Sequence, residues 1–184
     1  MLSKESSEVK SKARFSDVVY TLWGTFLLCL TVQISIPLEP VPITLGTFGV
    51  MLVALTMERK PAIQSILLYL TLGAMGAPVF ANFRSGISVF LGTTGGYLVG
   101  YLLAIVTMSN LRKYLSNDNF FLMALNCLIG TVLIYVFGLL HLSHFVGFQQ
   151  AIVVGFIPFI LPGIFKILLL SLSVRYIKLG KIFN

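Results

Sequence analysis

Apolar residues along this chain gather into six runs separated by short polar breaks, at residues 18–36, 44–57, 62–80, 87–108, 120–140 and 151–177. A hydrocarbon layer about 30 Å thick asks for about 20 apolar residues per helix, so most of these runs read as membrane spans. The second run is short, which predicts a helix that starts in the Pro-rich segment before it or leans on protein rather than lipid. The sixth is long and holds Pro162-Gly163, a pair that removes one backbone donor and one side chain and so predicts a break. The expected fold is an all-α integral membrane protein, a compact bundle of six transmembrane helices forming a single domain over residues 1–184.

The polar breaks differ in charge. Lys4, Lys10, Lys12 and Arg14 precede the first run, Arg59 and Lys60 follow the second, Arg112 and Lys113 follow the fourth, and Arg175, Lys178 and Lys181 follow the sixth. Cations on alternate exits orient a membrane protein with those exits inside, so both termini are expected in the cytoplasm, residues 1–17 forming a polar cytoplasmic N-terminal segment. The remaining outer segments, 37–42, 81–86 and 141–149, are richer in Pro, Gly, Asn and aromatic residues. Pro37, Pro40 and Pro42 stiffen the first of them, which reads either as a lid across the bundle or as a simple helix stop.

Composition narrows the class. With 57% hydrophobic and 10% charged residues, the chain is adapted to lipid. Its net charge of +7 sits at membrane exits, where anionic lipid and orientation account for it, and nucleic acid is not expected as a partner. Cys29 and Cys127 fall inside apolar runs as small packing residues. No A-x-A-like cleavage signal follows the first run, which is expected to be retained.

Gly92, Gly96 and Gly100 recur every fourth residue and make a stripe without bulk, a surface for close helix packing ahead of one that opens room for a ligand. The G-x-x-x-x-G-K-[ST] nucleotide loop is missing from the sequence, so ATP-driven work would need another subunit. No catalytic residues are expected, because the acidic residues Glu5, Glu8, Asp17, Glu39, Glu58 and Asp118 all lie in loops or at span ends. His141 and His144 lack a third ligand nearby, and no metal is expected.

Two cations break the pattern. Lys166 stands nine residues before Arg175, about 13 Å inside the cytoplasmic end and close to mid-bilayer. An ammonium there costs roughly 2.5–3.5 kcal/mol on insertion scales, so it calls for a partner or a polar cavity unless its stem snorkels to an interface. Asn82 and Arg84 follow the third run; they offer amide and guanidinium groups suited to carbonyl or carboxylate oxygen, in a segment short enough to fold over a cavity or to remain an ordinary wet loop. Tyr69, Tyr97 and Tyr101 add apolar faces and hydroxyls.

Three ordered blocks carry a family resemblance. The run from Val41 to Met51 (VPITLGTFGVM), that from Leu68 to Ala81 (LYLTLGAMGAPVFA) and that from Gly92 to Tyr97 (GTTGGY) resemble the BioY family, the biotin-binding S components of energy-coupling factor transporters. The match is strong over about residues 40–101 and looser over 158–166. The resemblance implies six helices and a biotin site opening outward beneath the first outer loop. It also implies a bacterial plasma-membrane location, with a transmembrane coupling subunit and two cytoplasmic ATPase subunits as partners. It places Asn82, Arg84 and Lys166 among polar ligand contacts, with Tyr69, Tyr97, Thr44 and Gly163 beside them, and Thr21, Gly24 and Thr25 as the nearest candidates for the partner contact of the first helix. The chain departs from the family pattern at Gly46, Thr93 and Gly163, where Gln, Pro and Asp are common. The departures keep open another small vitamin-like anion as ligand; a non-transporting membrane scaffold is the third reading.

Overall fold

The computed structural model describes residues 2–115 and 119–182, with side chains for 15–115 and 119–173; Asp118 and the cationic side chains of the two termini, Lys4, Lys10, Lys12, Arg14, Arg175, Lys178 and Lys181, lie outside the described residues. The described chain forms eight α-helices and one short hairpin, in the order α1 (Leu2–Gln33), β1 (Ser35–Ile36), β2 (Ile43–Thr44), α2 (Gly46–Thr56), α3 (Arg59–Ala74), α4 (Ser88–Leu91), α5 (Gly95–Leu111), α6 (Phe120–Val146), α7 (Phe148–Gly155) and α8 (Ile157–Ile182). Every apolar run thus contains a helix, the fourth split into α4 and α5 and the sixth into α7 and α8, while 35–36 and 44 fall in the hairpin and 75–80 follow α3. By length and apolarity, Phe15–Gln33 and Phe120–Val146 each suffice to cross a membrane, and α7 with the first part of α8 forms a third, bent candidate.

The short second run is α2, 11 residues and so about 16 Å long. It survives because it is wrapped by protein: Val50, Met51, Val53, Ala54 and Leu55 are all buried. Arg112 donates to the carbonyls of Leu55 and Met57, satisfying acceptors at the C-terminal end of α2 and placing a cation where the helix dipole favours one. At the same end Lys60 pairs with Asp17 at 2.6 Å.

Of the glycine stripe, Gly96 and Gly100 lie in α5 and pack on α6, whereas Gly92 falls before α5, at the end of α4. A Cβ on Gly100 would lie 2.7 Å from the Ile134 Cα, and one on Gly96 would strike the Phe137 carbonyl and His141. The low bulk therefore serves a helix seam.

Two breaks fall elsewhere than the sequence suggests. Pro162 lies within α8, and the break comes earlier, at Phe156, with a 42° bend between α7 and α8. Pro158 accounts for the position: it has no N–H and sits in the first turn of α8, where none is needed. The Gly155 carbonyl at this break accepts a hydrogen bond from the Tyr97 hydroxyl at 2.9 Å. Residues 141–146, expected in an outer loop, continue α6 up to Gly147. There His141 donates from Nε2 to the Gly92 carbonyl at 3.0 Å and so fastens the break between α4 and α5. Among the described residues no three potential metal ligands come together.

Candidate functional site

A cavity of about 650 Å³, counted to its open mouth, lies between α1, α2, α3, α5, α6 and α8. One boundary is the β1–β2 hairpin, in which Ser35 pairs with Thr44 and Ile36 with Ile43. The hairpin brings Val41 and Pro42 into the cavity wall, and the Thr93 hydroxyl holds it from the far side by donating to the Pro40 carbonyl at 2.9 Å. The Pro-rich segment is therefore a strap over the bundle, tied at its tip.

The second boundary is the turn 78–84. Phe80 is its anchor, buried and packed edge-on against Tyr69 and Phe90 with ring centroids 5.5 Å apart in each case. Arg84 lines the mouth and is exposed to solvent. Asn82 is adjacent but outside the lining; its side chain accepts a hydrogen bond from the Ser35 hydroxyl at 2.9 Å, and its backbone is left-handed at φ 58°.

Lys166 forms part of the interior wall and is 4% exposed. Its Nζ donates to the Thr44 carbonyl at 2.6 Å and to the Thr47 hydroxyl at 3.0 Å. The ammonium therefore faces the protein interior, neither spread into lipid nor stretched to a headgroup. Among the described residues no Asp or Glu lines the cavity. One acceptor, Thr47, is in the first turn of α2 and the other, Thr44, stands two residues before that helix in β2, so both lie at its positive end and the local field adds to the cation rather than offsetting it. A buried ammonium beside a helix N-terminus, with Arg84 at the mouth and no carboxylate between, is an electrostatic site for an anion.

The remaining walls are aromatic and aliphatic. Tyr97 and Phe159 stack at 6.5 Å, and Tyr135 meets Phe159 at 6.0 Å. Among the described residues the Tyr69 hydroxyl, on the cavity wall, is buried without a hydrogen-bond partner, whereas the Tyr97 hydroxyl is committed to Gly155. An orphaned hydroxyl in such a place is a point of attachment for a bound polar group. The combination, apolar walls with a few polar groups and a net positive field, suits a small amphipathic anion.

Of the ligand residues expected from sequence, Thr44, Tyr69, Arg84, Tyr97 and Lys166 line one cavity. Gly163 does not; it lies in a separate apolar groove between α6 and α8, with Tyr135 and Phe159 forming the partition. Of Thr21, Gly24 and Thr25, sought as partner contacts, Gly24 and Thr25 are buried, while Thr21 is half-buried and its hydroxyl donates to the Asp17 carbonyl at 2.7 Å. Thr25 donates to the Ser65 carbonyl at 3.1 Å, Ser65 to the Thr21 carbonyl at 3.0 Å, and a Cβ on Gly24 would strike the Ser65 hydroxyl. Thr47, Tyr135 and Phe159 are cavity residues that sequence reading passed over. Phe159 stands seven positions before Lys166, on the same helix face, and that spacing was the available signal. Gly46 is closed to any side chain, because the Tyr101 hydroxyl occupies the space of its Cβ.

The pattern that defines the BioY family matches residues 5–181. A protein of Rickettsia prowazekii (strain Madrid E) named Probable biotin transporter BioY is 38% identical over 162 residues, 88% of this chain and 83% of that one. The Biotin transporter BioY of Thermotoga maritima is 37% identical over 155 residues, 84% of this chain and 90% of that one. The crystal structure of the S-component for biotin from an ECF-type ABC transporter shares the fold, with a TM-score of 0.80 over 91% of this chain and 93% of that one at 24% identity.

Proposed function

The chain belongs to the BioY family, and on that premise we propose that it is an S component that captures biotin in the cavity walled by Lys166 and presents it for import. The observation that carries the reading is Lys166 itself. A cation kept at 4% exposure with two neutral acceptors and no carboxylate is a standing cost unless an anionic ligand visits it. Biotin supplies a carboxylate for the positive field, a ureido group with two donors and one acceptor for a group such as the Tyr69 hydroxyl, and an apolar ring and chain for the aromatic walls.

In this reading the chain does no covalent chemistry and hydrolyses no nucleotide. It crosses the cell membrane six times with both termini in the cytoplasm, the hairpin and the turn 78–84 facing outward. A transmembrane coupling subunit and two cytoplasmic ATPase subunits drive release of biotin inside. The bound ligand is cargo, and no cofactor takes part.

Calorimetric titration of the purified chain with biotin tests the proposal. Saturable binding to one site at micromolar concentration or below is expected; no heat and no retention at micromolar biotin rejects it. One observation favours a second ligand class: at Gly46 the Tyr101 hydroxyl stands where a side chain would otherwise reach. If this reshapes the pocket for another small vitamin-like anion, that anion displaces biotin at a much lower concentration than biotin needs to displace it.

A further inference from the structure

The turn that carries Arg84 is held in an unfavourable backbone shape. Asn82 and Phe83 are consecutive non-glycine residues in the left-handed region, at φ 58° and φ 55°. Asn tolerates that region through its short polar side chain; Phe does not, and the Phe83 side chain is 71% exposed, so packing does not compensate it. Buried Phe80 anchors the entry of the turn, and something else must hold the strained residues themselves.

That something is one side chain at the C-terminal end of α1. Gln33 Nε2 donates to the Phe80 carbonyl at 3.0 Å and the Pro78 carbonyl at 3.3 Å, while its Oε1 accepts from the Phe83 N–H at 3.1 Å. Three hydrogen bonds from a single amide thus span the turn from its entry to the strained residue itself. The turn's own backbone contacts, Phe80 N–H to the Arg84 carbonyl and Arg84 N–H to the Ala81 carbonyl, close it locally but do not tie it to the bundle. Ser35, two residues after Gln33, adds the bond to Asn82.

We propose that Gln33 is a positioning residue: it clamps the turn 78–84 over the cavity mouth, fixes Arg84 there, and thereby sets how long a bound ligand is retained. Gln33 is not among the residues that line the cavity, so its influence passes through Phe80 and Arg84. The inference rests on the reading of the cavity as the biotin site, but the clamp itself has a readout that needs no ligand.

The test uses the full chain in lipid nanodiscs with Gln33→Ala, Gln33→Met and Gln33→Glu. Gln33→Met keeps the volume without hydrogen-bonding groups, and Gln33→Glu keeps the acceptor but replaces the donor amide. Trypsin cleavage after Arg84, followed by mass spectrometry against cleavage after Arg112 as internal reference, reports opening of the turn; all three variants are expected to raise the ratio about tenfold. Biotin dissociation is expected to speed about tenfold in each variant with the association rate within about twofold. The effect of Arg84→Ala on dissociation shrinks to less than about twofold once Gln33 is Ala, because the two act through one element. An unchanged cleavage ratio, or wild-type behaviour of Gln33→Met, overturns the proposal. If wild-type protein binds no biotin, the ligand reading falls and the cleavage ratio alone decides the clamp.

Discussion

Lys166 carries two demands that pull against each other. Its burial with two neutral oxygen acceptors disfavours the unliganded fold, while its charge is what an anion meets. Replacement by Met therefore separates the two: Lys166→Met should weaken biotin binding by at least about a hundredfold, two powers of ten or about 2.8 kcal/mol, while the melting midpoint without ligand stays within about 2 °C of wild type or rises. Differential scanning fluorimetry beside calorimetry checks both halves; a large fall in the midpoint would make Lys166 a structural residue. Gly163 allows a complementary test. It stands one helical turn before Lys166, and a Cβ there would meet the Tyr135 hydroxyl at 3.7 Å, ordinary contact. Gly163→Asp should pair with the ammonium from one helical turn away and raise the unliganded midpoint by about 2–4 °C. At this scale the sequence was informative where physics made a residue expensive: Lys166 stood out by its cost alone. Thr47, Tyr135 and Phe159 did not, since buried threonines and aromatics are ordinary core residues until a cavity is found beside them.

The helices show which local rules win. A stripe of glycines at every fourth position announced the α5–α6 seam, and the structure seats Gly96 and Gly100 directly on the α6 backbone. Gly100→Val should cost about 1–3 kcal/mol through overpacking and lower the melting midpoint, measured without ligand. The break in the last span was legible in kind but misplaced, because Pro162 catches the eye whereas Pro158, in a first turn, sets the boundary. The continuation of α6 through His141 was hidden for a related reason: only the Gly92 carbonyl across the bundle gives that His its reason to be helical and inward. The hairpin strap was legible from its prolines, but its fastening was not. Thr93 supplies a donor to Pro40 that a proline at 93 could not, so Thr93→Val should release the strap and speed biotin dissociation about three- to tenfold with little change in stability, measured by stopped-flow exchange.

At the scale of the whole molecule, two kinds of surface divide the chain. One end gathers Asp17, Lys60, Arg112 and the end of α2 through the ion pair and the carbonyl contacts of Arg112. The opposite end holds the strap, the Gln33 clamp and Arg84, and the cavity opens there. The alternation of cations read from sequence predicts the first end inside the cell; cysteine labelling of single-cysteine variants in intact cells should modify a thiol at residue 83 but not one at residue 60 without permeabilisation. Hydropathy alone could give the runs and their order, but not which faces enclose a space, since that depends on α2 being too short to span and on α7–α8 bending around it. The most direct test of the account is a structure of the protein grown with biotin. It predicts density for one biotin in the cavity, with a polar atom of the ligand within hydrogen-bond distance, about 2.7–3.2 Å, of Lys166 Nζ. Density elsewhere, or a Lys166 ammonium turned toward lipid in the occupied state, would contradict it.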